Sequence, residues 1–188
     1  DKLILKIFNM TYEEIIVSIV RILGALPVLK FAFFGSIFAV IIDLSDLFII
    51  GNLKLGGVRN YQDLDKILDL AYMITFLIIS LRWSGIEKKV SIILFSFRII
   101  GMILFEITGS RIILFSFPNV FEFWIIGISY LKLRNKNKVI SKNSLYYVLI
   151  IAFVLKMFQE WILHWNRFLD NYAMGDILSV IKDIFTFL

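Results

Sequence analysis

The sequence predicts an all-α fold, a polytopic integral membrane helical bundle of about six transmembrane helices with an N-terminal amphipathic helix. Two observations carry this prediction. The 188 residues are 60% apolar with a mean hydropathy of +0.86, where a soluble domain is about 45 to 50% apolar. The apolar residues also lie in long runs of Ile, Leu and Phe, whereas a barrel would alternate them with polar ones. At about 20 residues per span, such a chain has room for about five or six spans and little else, so residues 1–188 are expected to form a single transmembrane domain.

Each element has its own signal. Between Lys2 and Ala25, polar residues fall at Lys2, Lys6, Asn9, Glu13, Ser18 and Arg21, a spacing near 3.6 that puts them on one stripe of a helix. Residues 1–10 read as an interfacial helix with lysines toward headgroups, and 12–29 as span 1 with Arg21 turned into the bundle. Pro27 and Lys30 interrupt, and 31–50 follows as span 2. A glycine-bearing loop leads to span 3 at 62–83, and a charged loop to span 4 at 90–108. Span 5, 111–131, is broken at Pro118 and Asn119, where a kink or re-entrant bend is expected. A basic loop, Lys132 to Lys142, precedes span 6 at 145–165, and 177–188 reads as an amphipathic tail. Trp83, Trp124, Trp161 and Trp165 fall mostly near span ends, as an aromatic belt would.

Composition removes several chemistries. The chain has no cysteine and a single histidine, His164, which excludes disulfides, thiol catalysis, Cys-ligated zinc and multi-histidine metal sites. The net charge of +5 is scattered among apolar segments, so membrane lipids rather than nucleic acid are the expected partner. There is no Gly-rich phosphate loop, G-x-S-x-G elbow or H-E-x-x-H motif.

What remains is carboxylate chemistry. Asp43 and Asp46 (i, i+3) share a face at the end of span 2, and Asp65 and Asp69 (i, i+4) share one at the start of span 3. Antiparallel spans joined by one loop bring both pairs to the same end of the bundle. Crowded like charges raise one another's pKa, and a hard divalent cation with oxygen ligands, Mg, Mn or Ca, relieves the repulsion. The plain alternative is that Asp43 and Asp46 end one helix while Asp63 and Asp65 favour the dipole at the start of the next.

These residues resemble the CDP-alcohol phosphatidyltransferase family, whose signature runs D-x-x-D-G-x-x-A-R, then eight residues, then G-x-x-x-D-x-x-x-D. Asp43-Leu44-Ser45-Asp46 matches the first half and Asp65-Lys66-Ile67-Leu68-Asp69 the second, with a separation one residue longer. Ser18 to Arg21 followed by Pro27 echoes the T-x-x-R and later Pro of the family's first span. The signature's glycine, Ala-Arg and second glycine positions hold Leu47, Ile50, Gly51 and Tyr61 instead. The resemblance implies a six-helix membrane transferase of phospholipid biosynthesis that uses Mg or Mn, a CDP-lipid donor and an alcohol acceptor. It makes Asp43, Asp46 and Asp65 metal ligands and Asp69 the general base.

Two other polar constellations lie within spans. Arg98 is a candidate for holding an anionic substrate group, with pairing to Glu106, Glu122 or another buried acid the favoured reading. Lys156, Glu160 and His164 step by four along one face of span 6, which favours a local ion pair over a proton relay. In a six-span chain the basic loops 82–89 and 132–142 share one side and the acidic site lies on the other, so positive-inside reasoning puts the acidic site outside the cytoplasm. The competing function is a non-catalytic small transport or channel component or a subunit of a larger membrane complex; the expected assembly is a homodimer or such a complex.

Overall fold

In a computed structural model, residues 10–45, 61–135 and 139–161 are described. They form seven α-helices and a 3-10 turn: α1 (Tyr12–Ala25), the turn Leu26–Leu29, α2 (Ala32–Leu44), α3 (Tyr61–Leu81), α4 (Ile86–Thr108), α5 (Arg111–Ser116), α6 (Val120–Asn135) and α7 (Lys142–Glu160). The expected interfacial helix at 1–10 falls almost wholly outside these residues. The tail 177–188 and His164 lie outside them entirely.

Local chemistry sets the ends of these helices. Thr11 and Glu14 make a capping box at the start of α1: the Glu14 amide donates to Thr11 Oγ1 at 3.2 Å, and the Thr11 amide to Glu14 Oε2 at 2.9 Å. Pro27 tightens the following turn into 3-10 geometry. The chain then doubles back so closely that a Cβ at Gly35 would lie 2.5 Å from Val28 N, and only glycine permits that approach of α2 to the turn. At the other end of the fold, α4 stops at Gly109, whose φ of +66° is left-handed and whose amide bonds the Phe105 carbonyl at 2.7 Å.

The core forms where the inward stripes of α3 and α6 meet. Met73 and Phe76 of α3 and Phe121, Trp124, Ile125 and Ile128 of α6 are fully buried. Phe121 meets Phe95 edge-on at a centroid separation of 5.7 Å and Phe76 at a tilt at 6.3 Å. The Trp124 indole N–H donates to Ser91 Oγ at 2.8 Å, which satisfies the one polar atom that burial of a tryptophan demands. α1 packs on α2 and α3, and α7 closes the bundle against α6.

The expectation of about six membrane spans is corrected by this structure. Among the described residues one helix, α4, is long and apolar enough to cross a membrane. Its 23 residues extend about 34 Å, against a hydrocarbon thickness of about 30 Å. The other apolar runs are cut short or carry too much polarity. α1, α2 and α6 have 14, 13 and 16 residues, below the roughly 20 a span requires. Span 5 is divided by the break at Phe117–Asn119 into α5 and α6. α3 holds Asp65, Lys66 and Asp69, and α7 begins Lys-Asn-Ser and carries Lys156 and Gln159.

Candidate metal centre

Three helices deliver the site. On α1 the face formed by Glu14, Val17, Arg21 and Gly24 is buried, so Arg21 enters the bundle with its side chain 2% exposed. Asp43 lies in the last turn of α2. Asp65 and Asp69 lie one turn apart on α3, and both face Arg21. Arg21 Nη1 donates to Asp65 Oδ1 at 2.8 Å and Nη2 to Asp69 Oδ1 at 2.7 Å, while Asp43 makes a third ion pair with Nη2. A planar guanidinium presents several donors in one fork, which lets a single side chain engage three carboxylates.

Asp43, Asp65 and Asp69 each offer one oxygen, and these oxygens lie within 4.8 Å of one another. Exposure is graded across the cluster, with side-chain values of 15% at Asp69, 22% at Asp43 and 38% at Asp65. Asp65 is therefore the open edge and Asp69 the floor. Burial pushes the Asp69 carboxyl up to about 7; the Asp65 charge adds to the rise, and the Arg21 and Arg98 charges oppose it. Among the described residues three carboxylates gather on this guanidinium, and an all-oxygen donor set of that kind suits Mg or Mn.

The structure thus brings together three of the four aspartates singled out in the sequence. Asp46 lies outside the described residues, as do the signature positions Leu47, Ile50 and Gly51. Arg98 does not reach the carboxylates with a hydrogen bond. Its Nη1 donates to the Phe117 carbonyl at 3.0 Å, and both acids expected to pair with it are engaged elsewhere: Glu106 by Lys66 at 3.1 Å and Glu122 by Lys156 at 3.3 Å. Lys156 also donates to Gln159 at 2.9 Å, so its pairing extends across to α6 as well as along α7.

Arg21 as the shared counter-ion was not anticipated from the sequence, although a signal was present. It stands in an apolar stretch with no acid three or four positions away, so its partner had to come from another helix.

A second feature flanks the cluster. Lys66, Leu70, Met102, Ile103 and Glu106 line a largely apolar groove of about 230 Å3 between α3 and α4, on the face of α3 next to Asp65 and Asp69. Lys66 closes one side, with its amine 4.5 Å from the Phe105 ring centroid.

Compared with protein-family models, curated proteins and solved structures, the chain has no match.

Proposed function

We propose that this chain is a membrane-anchored, metal-dependent transferase of the CDP-alcohol phosphatidyltransferase type, moving a lipid-linked phosphoryl group to an alcohol. The observation that carries the reading is the convergence of Asp43, Asp65 and Asp69, one oxygen of each within 4.8 Å of the others, beside Arg21. Carboxylates crowded this closely repel one another, and a bound cation relieves that repulsion.

Asp43 and Asp65 would hold Mg or Mn, which supplies charge neutralisation to a diphosphate donor when bound. Arg21 keeps the carboxylates in register by bonding oxygens on two helices at once. Asp69, one turn along α3 from Asp65, is the base that accepts the hydroxyl proton of the acceptor at a carboxylate oxygen. The apolar groove between α3 and α4 suits the chain of a lipid substrate. Exposed apolar side chains on α4, including Ile93, Ile103 and Ile107 at 64%, 54% and 75%, support burial of that helix in lipid. Leu47, Ile50, Gly51 and Tyr61 replace the family's small residues and arginine, so the donor's head group is held by contacts other than those of a cytidine-binding signature.

The second reading is a non-catalytic membrane component in which Arg21 is the permanent occupant of the acidic cluster. Its support is that the guanidinium already contacts all three aspartates. A Mn titration of the purified protein, followed by electron paramagnetic resonance, separates the two. The metal reading expects saturable binding that is lost in Asp43→Asn plus Asp65→Asn; no saturable binding by the unmodified protein sinks it and leaves the structural cluster. Given binding, Asp69→Asn should abolish turnover with Mn affinity largely kept, and undiminished turnover would remove Asp69 as the base.

A further inference from the structure

A second groove, of about 260 Å3, opens at the opposite end of α3 from the aspartates. Asp65 and Leu81 are sixteen residues apart on that helix, about 24 Å at 1.5 Å per residue. The walls are Phe31 and Phe33 from the start of α2, Trp83 from the end of α3, and Ser129, Lys132 and Leu133 from the last turns of α6, with Lys30 at the rim. Three features make it more than an apolar crevice. Lys132 and Lys30 both border it, Lys132 lying over the Trp83 ring at 5.5 Å and Lys30 over Phe31 at 5.4 Å. Arg82 adds a third cation beside them by donating to the Leu29 carbonyl at 2.9 Å. Ser129, 3% exposed and one turn before Lys132, lines the groove with a buried Oγ that has no hydrogen-bond partner among the described residues, so a donor stands ready for an incoming acceptor.

Charge and position define the occupant. Among the described residues the acid paired here is Glu87, which Lys132 contacts at 2.8 Å, so Lys30 and Arg82 remain as excess positive charge among them. That ion pair also fixes the groove beside the first turn of α4, the helix long enough to cross a membrane, and therefore at the level where headgroups lie. Cations at a rim, a lone hydroxyl within and aromatic walls below match an anionic headgroup with the upper part of an acyl chain. We propose that this groove binds one anionic phospholipid, its phosphate between Lys30 and Lys132 and accepting from Ser129 Oγ, as a site independent of the aspartate cluster.

Native mass spectrometry of the detergent-solubilised full chain, titrated with dioleoyl phosphatidylglycerol or dioleoyl phosphatidylcholine, tests this. One phosphatidylglycerol should be retained in preference to phosphatidylcholine, and Lys30→Gln plus Lys132→Gln should weaken retention about tenfold. Because Lys132 also holds Glu87, Lys30→Gln alone is measured as well; it removes an exposed amine and should weaken retention about threefold. Lys88→Gln plus Lys89→Gln removes equal charge at the same end of α4 without touching the groove and should leave retention unchanged. Equal weakening in that control would overturn the site, leaving surface attraction. So would equal retention of the two lipids, or equal binding of glycerol 3-phosphate, which lacks the chains.

Discussion

Two of the buried charge clusters among the described residues differ in how far they open to water. Between α6 and α7, Glu122 and Lys156 are 2% and 7% exposed and pair at 3.3 Å, with Gln159 taking a further amine proton. Between α1, α2 and α3, one guanidinium faces three carboxylates, and exposure rises steadily to an open edge at Asp65. An ion pair shut away from water is how a fold tolerates charge among apolar side chains. A cluster with an open edge is how it keeps charge available for something that arrives from outside. Exposure thus separates a packing device from a candidate site before any chemistry is invoked.

Breaking each cluster at its cation should expose that difference. Arg21→Met removes the guanidinium that contacts all three carboxylates and is expected to have the largest effect, a loss of about 3 to 5 kcal/mol, the range for removing one partner of a buried ion pair. Millimolar Mg should recover more thermal stability in this variant than in the unmodified protein, since a cation can take over the guanidinium's role. No recovery would count against a cation site.

Lys156→Met should cost about 3 kcal/mol by stranding Glu122, and Mg should not rescue it. Adding Glu122→Leu to Lys156→Met should bring stability back to within about 1 kcal/mol of the unmodified protein, because an apolar pair of similar size replaces a closed ion pair well. A double variant as unstable as the single one would mean that the pair does more than compensate itself.

At the open edge the expectation reverses. Asp65→Asn should change stability by less than about 1 kcal/mol yet weaken Mn binding at least tenfold. The smallest effect belongs to Lys66→Gln, whose partner Glu106 is 70% exposed. An ion pair so open to water contributes about 0 to 1 kcal/mol, and a larger fall in melting temperature would point to the Lys66 stem packing on Phe105.

Some of this was legible in the sequence. The pairing of Asp65 with Asp69 on one face follows from helical spacing alone, and the convergence of Asp43 follows from two helices joined by one connection. The break at Pro118 was legible because proline lacks the N–H that a helix interior needs. The number of spans was not, because hydropathy measures apolar runs and not helix lengths. The run from Tyr12 to Leu29 is bent by Pro27 after 14 helical residues, and the run from Arg111 to Leu131 is split in two. Nor was the partner of Arg98 legible. It is the carbonyl of Phe117, next to the break between α5 and α6, and a backbone acceptor leaves no trace in residue identity.

The three-way contact of Arg21 also bears on the order in which the chain assembles. Asp43 is 22 residues from Arg21, whereas Asp65 and Asp69 are 44 and 48 away. Emerging from the ribosome, α1 can therefore neutralise its arginine within the α1–α2 hairpin before any of α3 exists, and the shorter loop closes at lower entropic cost. The later arrival of Asp65 and Asp69 turns that provisional pair into a clasp across three helices. Asp43 then serves as an escort, holding the arginine through the interval before Asp65 and Asp69 arrive.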